Sequence, residues 1–395
     1  MTVNYNFPTP IISGPGAISY LPTILRERGF KRTSLVTDRG IVGLPWFKKL
    51  VHNLSEDFEV TVFSDFQGNP VCSQVDAGTA FLREVNAQSV IAIGGGAALD
   101  VAKAMVLMQN HGGHLFDYED GNPDAPPVEG AIADLIAIPT TAGTGSEVGR
   151  SAVISDDETH AKKIIFSPRL LPTQVIADPE LTLGLPASLT ASTGFDALTH
   201  LLEAFLARGE HPMCDGIALE GLRLVSQHLI PAVQMARANA AGRILGHAEA
   251  ERHLDARDGM LNAALMGAVA FQKGLGVNHS CAHALSTVND VHHGLANALM
   301  LIPCMRFNAE VVPERFVRVA QSMDITPATP EAFFDWVEQA LRDTGLPRNL
   351  SEIGVKASDI PALVDVAIAD VCHPLGPRAV RKAQFVSLFE EALNR

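Results

Sequence analysis

Several features that define other protein classes are scarce in this sequence of 395 residues. Charged side chains make up only 19 % of it and aromatic side chains 6 %, and 30 Lys and Arg against 44 Asp and Glu give a net charge of −14. The cations form no tract, so the chain is unsuited to nucleic acid, whose phosphates require clustered positive charge, and to anionic membrane surfaces. We therefore expect neither nucleic acid nor a membrane as a partner.

Long apolar runs and paired cysteines are also missing. No run approaches the roughly 20 apolar residues that a membrane span requires, and residues 1–10 lack the charged start and apolar stretch of a secretory signal. The five cysteines are widely spaced and form no CxxC pair, which argues against a disulfide framework or a thiolate metal site. Hydrophobic residues, in contrast, make up 47 %, as in a folded globular chain. We therefore expect a cytoplasmic protein in a reducing compartment.

The first half of the chain alternates short apolar runs with segments of helical length. The runs are rich in β-branched residues and occupy positions 34–37, 58–63, 89–93 and 135–138. Short apolar strands separated by helices predict βαβ units and a parallel sheet buried on both faces. Beyond position 185 the chain is instead rich in Ala and Leu at helical spacing, over 187–207, 216–236 and 259–273. We therefore predict an α/β domain over residues 1–185 and an all-helical domain over residues 186–395.

A glycine-rich segment follows the third apolar run. Gly94, Gly95 and Gly96 precede a helical segment that extends through Lys103. This order presents backbone N–H groups and a helix dipole to a phosphate, and glycine is needed because a Cβ atom would keep the phosphate away from the backbone. The spacing departs from GxGxxG, so a tight turn without a ligand is the alternative.

Two further features favour a nucleotide crevice. The stretch 139–147 (PTTAGTGSE) follows the next strand and offers hydroxyls and glycines to phosphate and ribose oxygens. Successive loops of this kind meet at one edge of a parallel sheet. Asp38 closes the first run, where a carboxylate accepts hydrogen bonds from ribose hydroxyls and repels a 2′-phosphate, so NAD is favoured over NADP. The alternative for Asp38 is a simple turn residue.

An acid and several histidines recur at helical spacing in the second half. Asp196 and His200 stand at positions i and i+4. His279 and His283 repeat that spacing, and His293 follows ten residues later. Residues at this spacing share one helix face, and a carboxylate with imidazoles suits Fe²⁺ or Zn²⁺ better than Ca²⁺ or Mg²⁺. Four ligands suffice, so one histidine is left for catalysis.

These motifs resemble those of the iron-containing (group III) alcohol dehydrogenases. The resemblance rests on the run STGFDALTH at 192–200, the run GVNHSCAHAL at 276–285, the glycine loop and PTTAGTGSE, and it covers essentially the whole chain. It implies an α/β N-terminal dinucleotide-binding domain with a parallel sheet, an all-α C-terminal metal-binding domain and a cleft between them. It also implies a metal-dependent NAD(H) oxidoreductase that interconverts a primary alcohol and its aldehyde, with the metal polarising the substrate oxygen.

The resemblance further assigns residues by motif position. The metal ligands that it implies, for Fe²⁺ with Zn²⁺ as the other candidate, are Asp196, His200, His279 and His293. His283 matches a non-ligand histidine near the nicotinamide, a candidate proton relay. The NAD contacts that it implies are Asp38, Asn69, Gly95, Gly96, Thr140, Thr141, Thr144 and Lys162. We also expect a homo-oligomer, with a dimer favoured and an edge strand near residues 11–12 as the candidate pairing element.

Arg150 is the principal indication of the substrate. In the family the stretch that holds Arg150 and Ser151 reaches the nicotinamide and substrate region, and a guanidinium there would pair bidentately with a carboxylate. We therefore expect a small ω-hydroxy acid or its semialdehyde, such as 4-hydroxybutyrate and succinic semialdehyde. The alternative is that Arg150 makes a surface or interdomain salt bridge.

Three other functions are compatible with these motifs. A lyase related to dehydroquinate synthase would share the architecture, NAD and a divalent metal, but would recycle NAD without net NADH. A hydroxyacid-oxoacid transhydrogenase would pass hydride between two substrates through tightly held NAD. A non-enzymatic binding module would keep the motifs without turnover. The spacing of Asp196 and His200 favours the dehydrogenase, and NADH formation separates it from the lyase.

Overall fold

A computed structural model describes residues 4–159 and 161–395 and divides the chain into two compact units. The α/β unit comprises Pro8–Thr141 and Ser146–Leu181. The helical unit comprises Thr182–Arg395 together with Ala142–Gly145 and residues 4–7. The predicted fold class, an α/β half followed by an all-helical half, is confirmed. The domain boundary after residue 185 stays a prediction.

The α/β unit is built from short strands and connecting helices. Its strands are β1 (Ile11–Ser13), β2 (Arg32–Val36), β3 (Glu59–Phe63), β4 (Ser89–Gly94), β5 (Asp134–Pro139), β6 (Ser151–Ser155), β7 (Lys162–Phe166) and β8 (Gln174–Ala177). Its helices are α1 (Leu21–Glu27), α2 (Pro45–Leu54), α3 (Cys72–Glu84) and α4 (Gly96–Gln109). A parallel sheet has the order β1-β8-β5-β4-β2-β3, and β6 pairs with β7 in an antiparallel hairpin.

Side chains of the parallel sheet alternate between two apolar cores. In β4, Ile91 and Ile93 pack with side chains of α1 and α2, whereas Val90 and Ala92 pack with side chains of α3 and α4. Successive residues of a strand point to opposite faces, so the central strands β4 and β5 are buried on both sides, whereas the edge strands β1 and β3 are partly exposed. This is why the strands read as continuous apolar runs rather than as alternating patterns.

The parallel order brings the carboxyl ends of the strands to one edge of the sheet. β4 ends at Gly94, which pairs with Pro139 at the end of β5. On its other side β4 pairs with β2, which ends at Val36. The chain reverses its progression across the sheet between β2 and β4, and ligands of open α/β sheets bind at such a reversal. The fold therefore gathers the glycine loop and Asp38 at a position suited to a ligand.

The helical unit has no strand in its described part. Its helices are α5 (Ala187–Leu206), α6 (Pro212–Ala240), α7 (His247–Ala270), α8 (Val277–Asn289), α9 (His293–Ala309), α10 (Pro313–Ser322), α11 (Pro330–Thr344), α12 (Ile360–Ala369) and α13 (Lys382–Asn394). Helix α5 is buried at every position from Thr190 to its end at Leu206. Within the described residues, none of the helices combines the length and the apolar character needed to cross a membrane.

Candidate metal centre and dinucleotide loop

Three buried helices bring the predicted carboxylate and histidines together. Helix α5 carries Asp196 and His200, α8 carries His279, and α9 begins at His293. Each residue offers one ligand atom, and the four atoms all lie within 4.8 Å of one another. Nε2 of His293 lies 3.3 Å from Oδ1 of Asp196, and the Nε2 atoms of His200 and His279 each lie 4.0 Å from it. The arrangement offers one carboxylate oxygen and three imidazole nitrogens to a single point.

Burial and mutual proximity set the protonation of this group. Burial acts to raise the pKa of the Asp196 carboxyl, but His200 and His293 outweigh it and hold the pKa well below its ordinary range. Burial, reinforced by His200 and His293, holds the pKa of His279 well below 6.5. At neutral pH the carboxylate is therefore ionised and His279 is neutral. These are the forms in which both side chains bind a metal ion.

The chemistry of these donors fits a divalent cation. The amide nitrogen of Asn297 lies within hydrogen-bond distance of three of the convergent atoms, with Nδ2 2.7 Å from Oδ1 of Asp196, 3.2 Å from Nε2 of His293 and 3.5 Å from Nε2 of His279. One neutral amide does not neutralise a buried carboxylate, and a buried charge requires a compensating partner such as a cation. A set of imidazole and carboxylate donors suits Fe²⁺ and Zn²⁺.

Glu203 orients His279 from the neighbouring helix. Its Oε2 lies 2.7 Å from Nδ1 of His279. Its Oε2 also accepts from the backbone N–H groups of Gly276 and His279, and its Oε1 accepts from that of Asn278. Burial raises the pKa of Glu203 to about 7, and these N–H groups oppose that rise. Because N–H groups reach both oxygens, the carboxylate accepts from Nδ1–H of His279 and leaves the Nε2 lone pair for a metal.

Neither Glu203 nor Asn297 was predicted from the sequence as part of the metal centre. Glu203 stands seven positions after Asp196 and Asn297 four positions after His293, so each shares a helix face with a predicted ligand. Nδ2 of Asn278 donates to Oδ1 of Asn297 over 2.9 Å, which turns the amide nitrogen of Asn297 toward Asp196. Helical spacing from a predicted ligand was the one signal that pointed to both residues.

His283 lies beside the four ligand residues and binds a different carboxylate. Its ring stacks on that of His293, with the centroids 5.3 Å apart and the planes at 21°. Its Nδ1 lies 2.8 Å from Oδ2 of Asp370, and its side chain is 28 % exposed. The structure thus places the predicted relay histidine next to the ligand histidines, while its role stays a prediction.

The glycine loop adjoins three of the residues predicted to contact NAD. Gly95 caps the N-terminus of α4, and a Cβ atom there would lie 3.3 Å from Oγ1 of Thr141. The N–H of Thr140 donates to the carbonyl of Gly94 over 3.0 Å. Gly94 has φ +151°, and a Cβ atom on it would lie 3.6 Å from Oδ2 of Asp38. A helix N-terminus, two hydroxyls and a carboxylate therefore lie side by side at the edge of the sheet.

The carboxylate of Asp38 divides its two oxygens between two tasks. Oδ1 accepts the N–H groups of Gly40 and Ile41 at 2.7 and 3.2 Å, which is the turn role that the sequence left open. Oδ2 is the oxygen that lies toward Gly94. The turn therefore holds the carboxylate in place without consuming both of its oxygens.

The remaining residues predicted to contact NAD lie on other segments. Lys162 begins β7 and pairs with Ser155, whose N–H donates to the carbonyl of Pro70 over 2.8 Å. The hairpin therefore lies against the segment that contains Asn69, which is exposed. Thr144 belongs to the helical unit. The role of each of these three residues stays a prediction.

A buried ammonium group holds the turn that carries Arg150. Nζ of Lys103 donates to Oγ and O of Ser146 at 2.7 and 2.6 Å and to O of Ser151 at 2.9 Å. Asp100 accepts from Oγ of Ser146 at 2.5 Å. The side chain of Arg150 is half-buried. The guanidinium makes no ion pair with residues 4–159 or 161–395, so the salt bridge considered as an alternative is not seen there.

Two protein-family models match this chain. The model described as iron-containing alcohol dehydrogenase matches residues 8–179, and the model of the C-terminal part of that family matches residues 190–393. Together they span nearly all of the sequence. The chain belongs to the iron-containing alcohol dehydrogenase family, which confirms the resemblance drawn from its motifs.

Individual relatives match along almost their full length. The chain is 35 % identical to the 4-hydroxybutyrate dehydrogenase of Cupriavidus necator, over 96 % of both chains. A crystal structure of 1,3-propanediol oxidoreductase superposes with a TM-score of 0.89 at 32 % identity, over 100 % of both chains. The sulfoacetaldehyde reductase of Bifidobacterium kashiwanohense, solved with NAD⁺, gives 0.88 at 28 % identity over 100 % of this chain and 99 % of that one. The family and its members support iron as the metal and NAD-dependent oxidoreduction of alcohols as the activity.

Proposed function

We propose that this chain is an iron- and NAD-dependent dehydrogenase that interconverts a short ω-hydroxy acid, such as 4-hydroxybutyrate, and its semialdehyde. The observation that carries the chemistry is the convergence of four ligand atoms within 4.8 Å. Iron, with Zn²⁺ as the other candidate, would be held by Asp196, His200, His279 and His293. When bound, the ion polarises the substrate oxygen and stabilises negative charge on it.

His283 moves the proton in this proposal. With its Nδ1 on Asp370, the neutral ring accepts the proton of the substrate hydroxyl at Nε2 during alcohol oxidation and returns it during aldehyde reduction. Imidazole suits this task because its ordinary pKa lies near neutrality. The partial exposure of the side chain lets the proton pass on to solvent.

We assign NAD binding to the carboxyl edge of the sheet. Backbone N–H groups at the start of α4, with Gly95 and Gly96, receive the pyrophosphate, since a helix N-terminus favours negative charge. Oδ2 of Asp38 accepts from a ribose hydroxyl and would repel a 2′-phosphate, which favours NAD over NADP. Further contacts come from Asn69, Thr140, Thr141, Thr144 and Lys162. When bound, NAD supplies the carbon that accepts the hydride.

Arg150, with Ser151 beside it, binds the carboxylate of the substrate in this proposal. A half-buried guanidinium that no described residue neutralises is available to an anionic ligand and can form two parallel hydrogen bonds with it. Lys103 holds the turn on both sides of Arg150, which limits the number of positions that the side chain samples. Two relatives support an anionic substrate, since 4-hydroxybutyrate carries a carboxylate and sulfoacetaldehyde a sulfonate.

Aldehyde reduction by the iron-loaded protein tests the proposal. NADH oxidation is followed with succinic semialdehyde and with butanal, which has the same number of carbons and no carboxylate. We expect a preference for succinic semialdehyde. Arg150→Ala should raise the KM for succinic semialdehyde roughly 10- to 100-fold, because a charge-assisted hydrogen bond contributes about 1.5–3 kcal/mol. The KM for butanal should change little.

Arg26→Ala is the matched control, because that arginine forms an exposed ion pair with Asp57. It should leave both KM values unchanged. Equal effects of Arg150→Ala on the two aldehydes would refute the acidic substrate and leave the dehydrogenase intact. Protein that binds iron and NAD but oxidises NADH with neither aldehyde would refute these substrates and favour a different substrate or the recycling lyase.

We also propose that the protein is a cytoplasmic homodimer. All five cysteines are buried and unpaired within the described residues, which fits a reducing compartment. Strand β1 lies at the edge of the sheet, and an open edge can pair with the same edge of a second copy. Light scattering should give twice the chain mass of 42.1 kDa, and fractionated cells should hold the protein with other cytoplasmic enzymes. A monomer would contradict the dimer.

A further inference from the structure

We propose that Asp370 is the positioning residue of the proton relay and determines which nitrogen of His283 carries the proton. The inference rests on the proposed role of His283 and extends it. Asp370 follows the last residue of α12, and it stands 87 positions after His283. The two side chains meet because α8 packs against α12.

Asp370 receives hydrogen bonds from three directions. Its Oδ2 lies 2.8 Å from Nδ1 of His283. Its Oδ1 accepts from Oγ of Ser280 at 2.7 Å and from the N–H of Cys372 at 2.9 Å. Oγ of Ser280 in turn accepts from the N–H of His373 at 2.9 Å, so its own proton points to Asp370. Two donors therefore occupy Oδ1, and Oδ2 faces the ring of His283.

An acceptor at both oxygens fixes the tautomer of His283. Two donors at Oδ1 favour the ionised carboxylate, which is the ordinary form of an aspartate at neutral pH, so Oδ2 acts as an acceptor. Nδ1 of a neutral His283 must then carry the hydrogen, and Nε2 keeps its lone pair. Stacking on His293 and the edge contact with His279, 6.0 Å between centroids, hold the plane of the ring. Nε2 is thus ready to accept a proton from the substrate.

The bonds from Ser280 and Cys372 do not by themselves require a carboxylate, because the amide oxygen of an asparagine could accept both. The C-terminus of a helix carries partial negative charge, so an acid at the end of α12 is electrostatically unfavourable there. A basic or neutral capping residue would serve the helix better. The hydrogen bond to His283 offsets that cost, as the buried carboxylate behind a catalytic imidazole does in other enzymes.

Asp370→Asn isolates this role because it replaces one carboxylate oxygen with an amide NH₂ group of nearly the same size. Whichever way the amide turns, its NH₂ group faces an N–H donor, either Nδ1–H of His283 or the N–H of Cys372. The ring of His283 must then lose its hydrogen bond or move its proton to Nε2. We expect kcat to fall about 10- to 100-fold, as for other residues that orient a functional histidine, with KM changed less than about threefold.

A double-mutant cycle separates action through His283 from general damage. In the background of His283→Gln, Asp370→Asn should lower kcat by less than about twofold, because the residue it orients is gone. Asp365→Asn is the control, since that exposed acid on α12 binds only Lys382 among the described residues. If the two losses multiply, or if Asp370→Asn changes KM alone, the inference is wrong. If His283→Gln leaves kcat unchanged, the proposed relay itself is wrong.

The tautomer of His283 can also be determined by NMR, without measuring activity. Protein labelled with ¹⁵N-histidine and loaded with diamagnetic Zn²⁺ is measured by long-range ¹H–¹⁵N correlation at a pH where the ring is neutral, with His283→Gln identifying the signal. We expect hydrogen on Nδ1 of His283 in the wild type. Hydrogen on Nε2 in the wild type would overturn the proposal even if no variant could be purified.

Discussion

Iron binding should depend both on the proposed ligands and on the side chains that orient them. His279→Ala removes a ligand, so we expect loss of bound iron and of NADH oxidation. Asn297→Ala removes the amide that lies 2.7 Å from Asp196 and should weaken iron binding about 10- to 100-fold, as other residues that orient ligands do. Metal titration followed by elemental analysis measures both effects.

His247→Ala supplies the control for these variants. That histidine is also on a helix of the same unit, but its side chain is 90 % exposed. The variant should bind iron as the wild type does. If Asn297→Ala also bound iron normally, the orienting role of the amide would be refuted while the ligand assignment would stand.

Glu147 predicts a specific dependence of stability on pH. Its side chain is 1 % exposed, and burial raises its pKa to about 7 from an ordinary value of 4.5. Between these two values the folded state holds a proton that the unfolded state has released, so stability is greatest below the window and falls as the pH rises through it. Glu147→Gln should remove the part of that fall that Glu147 causes, about 3 kcal/mol at full effect, and leave the part that Glu203 causes.

Thermal unfolding at pH 5 and pH 8 measures this dependence. The wild type should lose more stability between the two values than Glu147→Gln does. Glu84→Gln, at an exposed position, should behave like the wild type. An identical pH response in all three proteins would show that Glu147 does not titrate in this range.

The ligands could be predicted from the sequence because two of their spacings are local. Asp196 and His200 stand four positions apart, as do His279 and His283, so each pair indicates one helix face within a short segment. Asp370 could not be assigned in that way, and the spacing of Asn297 from His293 indicates a shared helix face but not its partner Asp196. Asp370 meets His283 across 87 positions, and Asn297 meets Asp196 across 101. Nothing within either segment specifies which helix it will pack against, so only the packed structure reveals these partners.

At the scale of elements, Gly294 allows α9 to approach α5 closely. A Cβ atom on Gly294 would collide with the backbone carbonyl of Ser192, and the adjacent His293 is a proposed ligand. Gly294→Ala should therefore push the two helices apart, lower the free energy of unfolding by about 1–3 kcal/mol and weaken iron binding. Calorimetry and metal titration measure the two effects.

Gly216 provides the matched comparison on α6. A Cβ atom there would meet no described atom within 4 Å. Gly216→Ala should raise the free energy of unfolding by up to about 1 kcal/mol, because alanine has the higher helix propensity. Similar destabilisation by both variants would contradict the close approach of α9 and α5.

The sequence predicts well the strands that are followed by a recognisable loop motif, such as the glycine loop after β4 and the stretch PTTAGTGSE that begins at the end of β5. The strands β4 and β5 were expected at 89–93 and 135–138 and lie at Ser89–Gly94 and Asp134–Pro139. The hairpin of β6 and β7 was not predicted. Its strands contain no alternating pattern, and its turn lacks the dipeptides that mark tight hairpins. The sequence therefore does not indicate that β6 and β7 pair with each other.

At the scale of the whole molecule, each unit has its own apolar core, so each ligand should protect its own set of segments. Iron should slow amide hydrogen exchange mainly in α5, α8 and the start of α9. NAD should slow it mainly in α4 and at residues 139–141. Stabilisation of the native state by a bound ligand is the physical reason. Exchange mass spectrometry with each ligand alone measures both patterns.

Strong protection of the metal helices by NAD alone would contradict this separation, and so would iron protection confined to α4.

The division into two units could be predicted from the sequence only in part. The change of apolar period near residue 185 reveals two kinds of architecture. It cannot reveal that Asn6 belongs with the helical unit, because that placement depends on its two hydrogen bonds with Gln272, 266 positions away.

The position of β1 imposes an order on biosynthesis. The first strand of the chain pairs with the last strand of the sheet, and Gln174 bonds to Pro10 across 164 positions. A ribosome adds roughly 5–20 residues per second, so β1 waits about 10–30 s before its partner exists. During that interval Ile12, which is partly buried in the folded unit, lacks its partner Ile176 on β8. A chaperone that binds the first residues of the nascent chain would cover this strand until β8 has been synthesised.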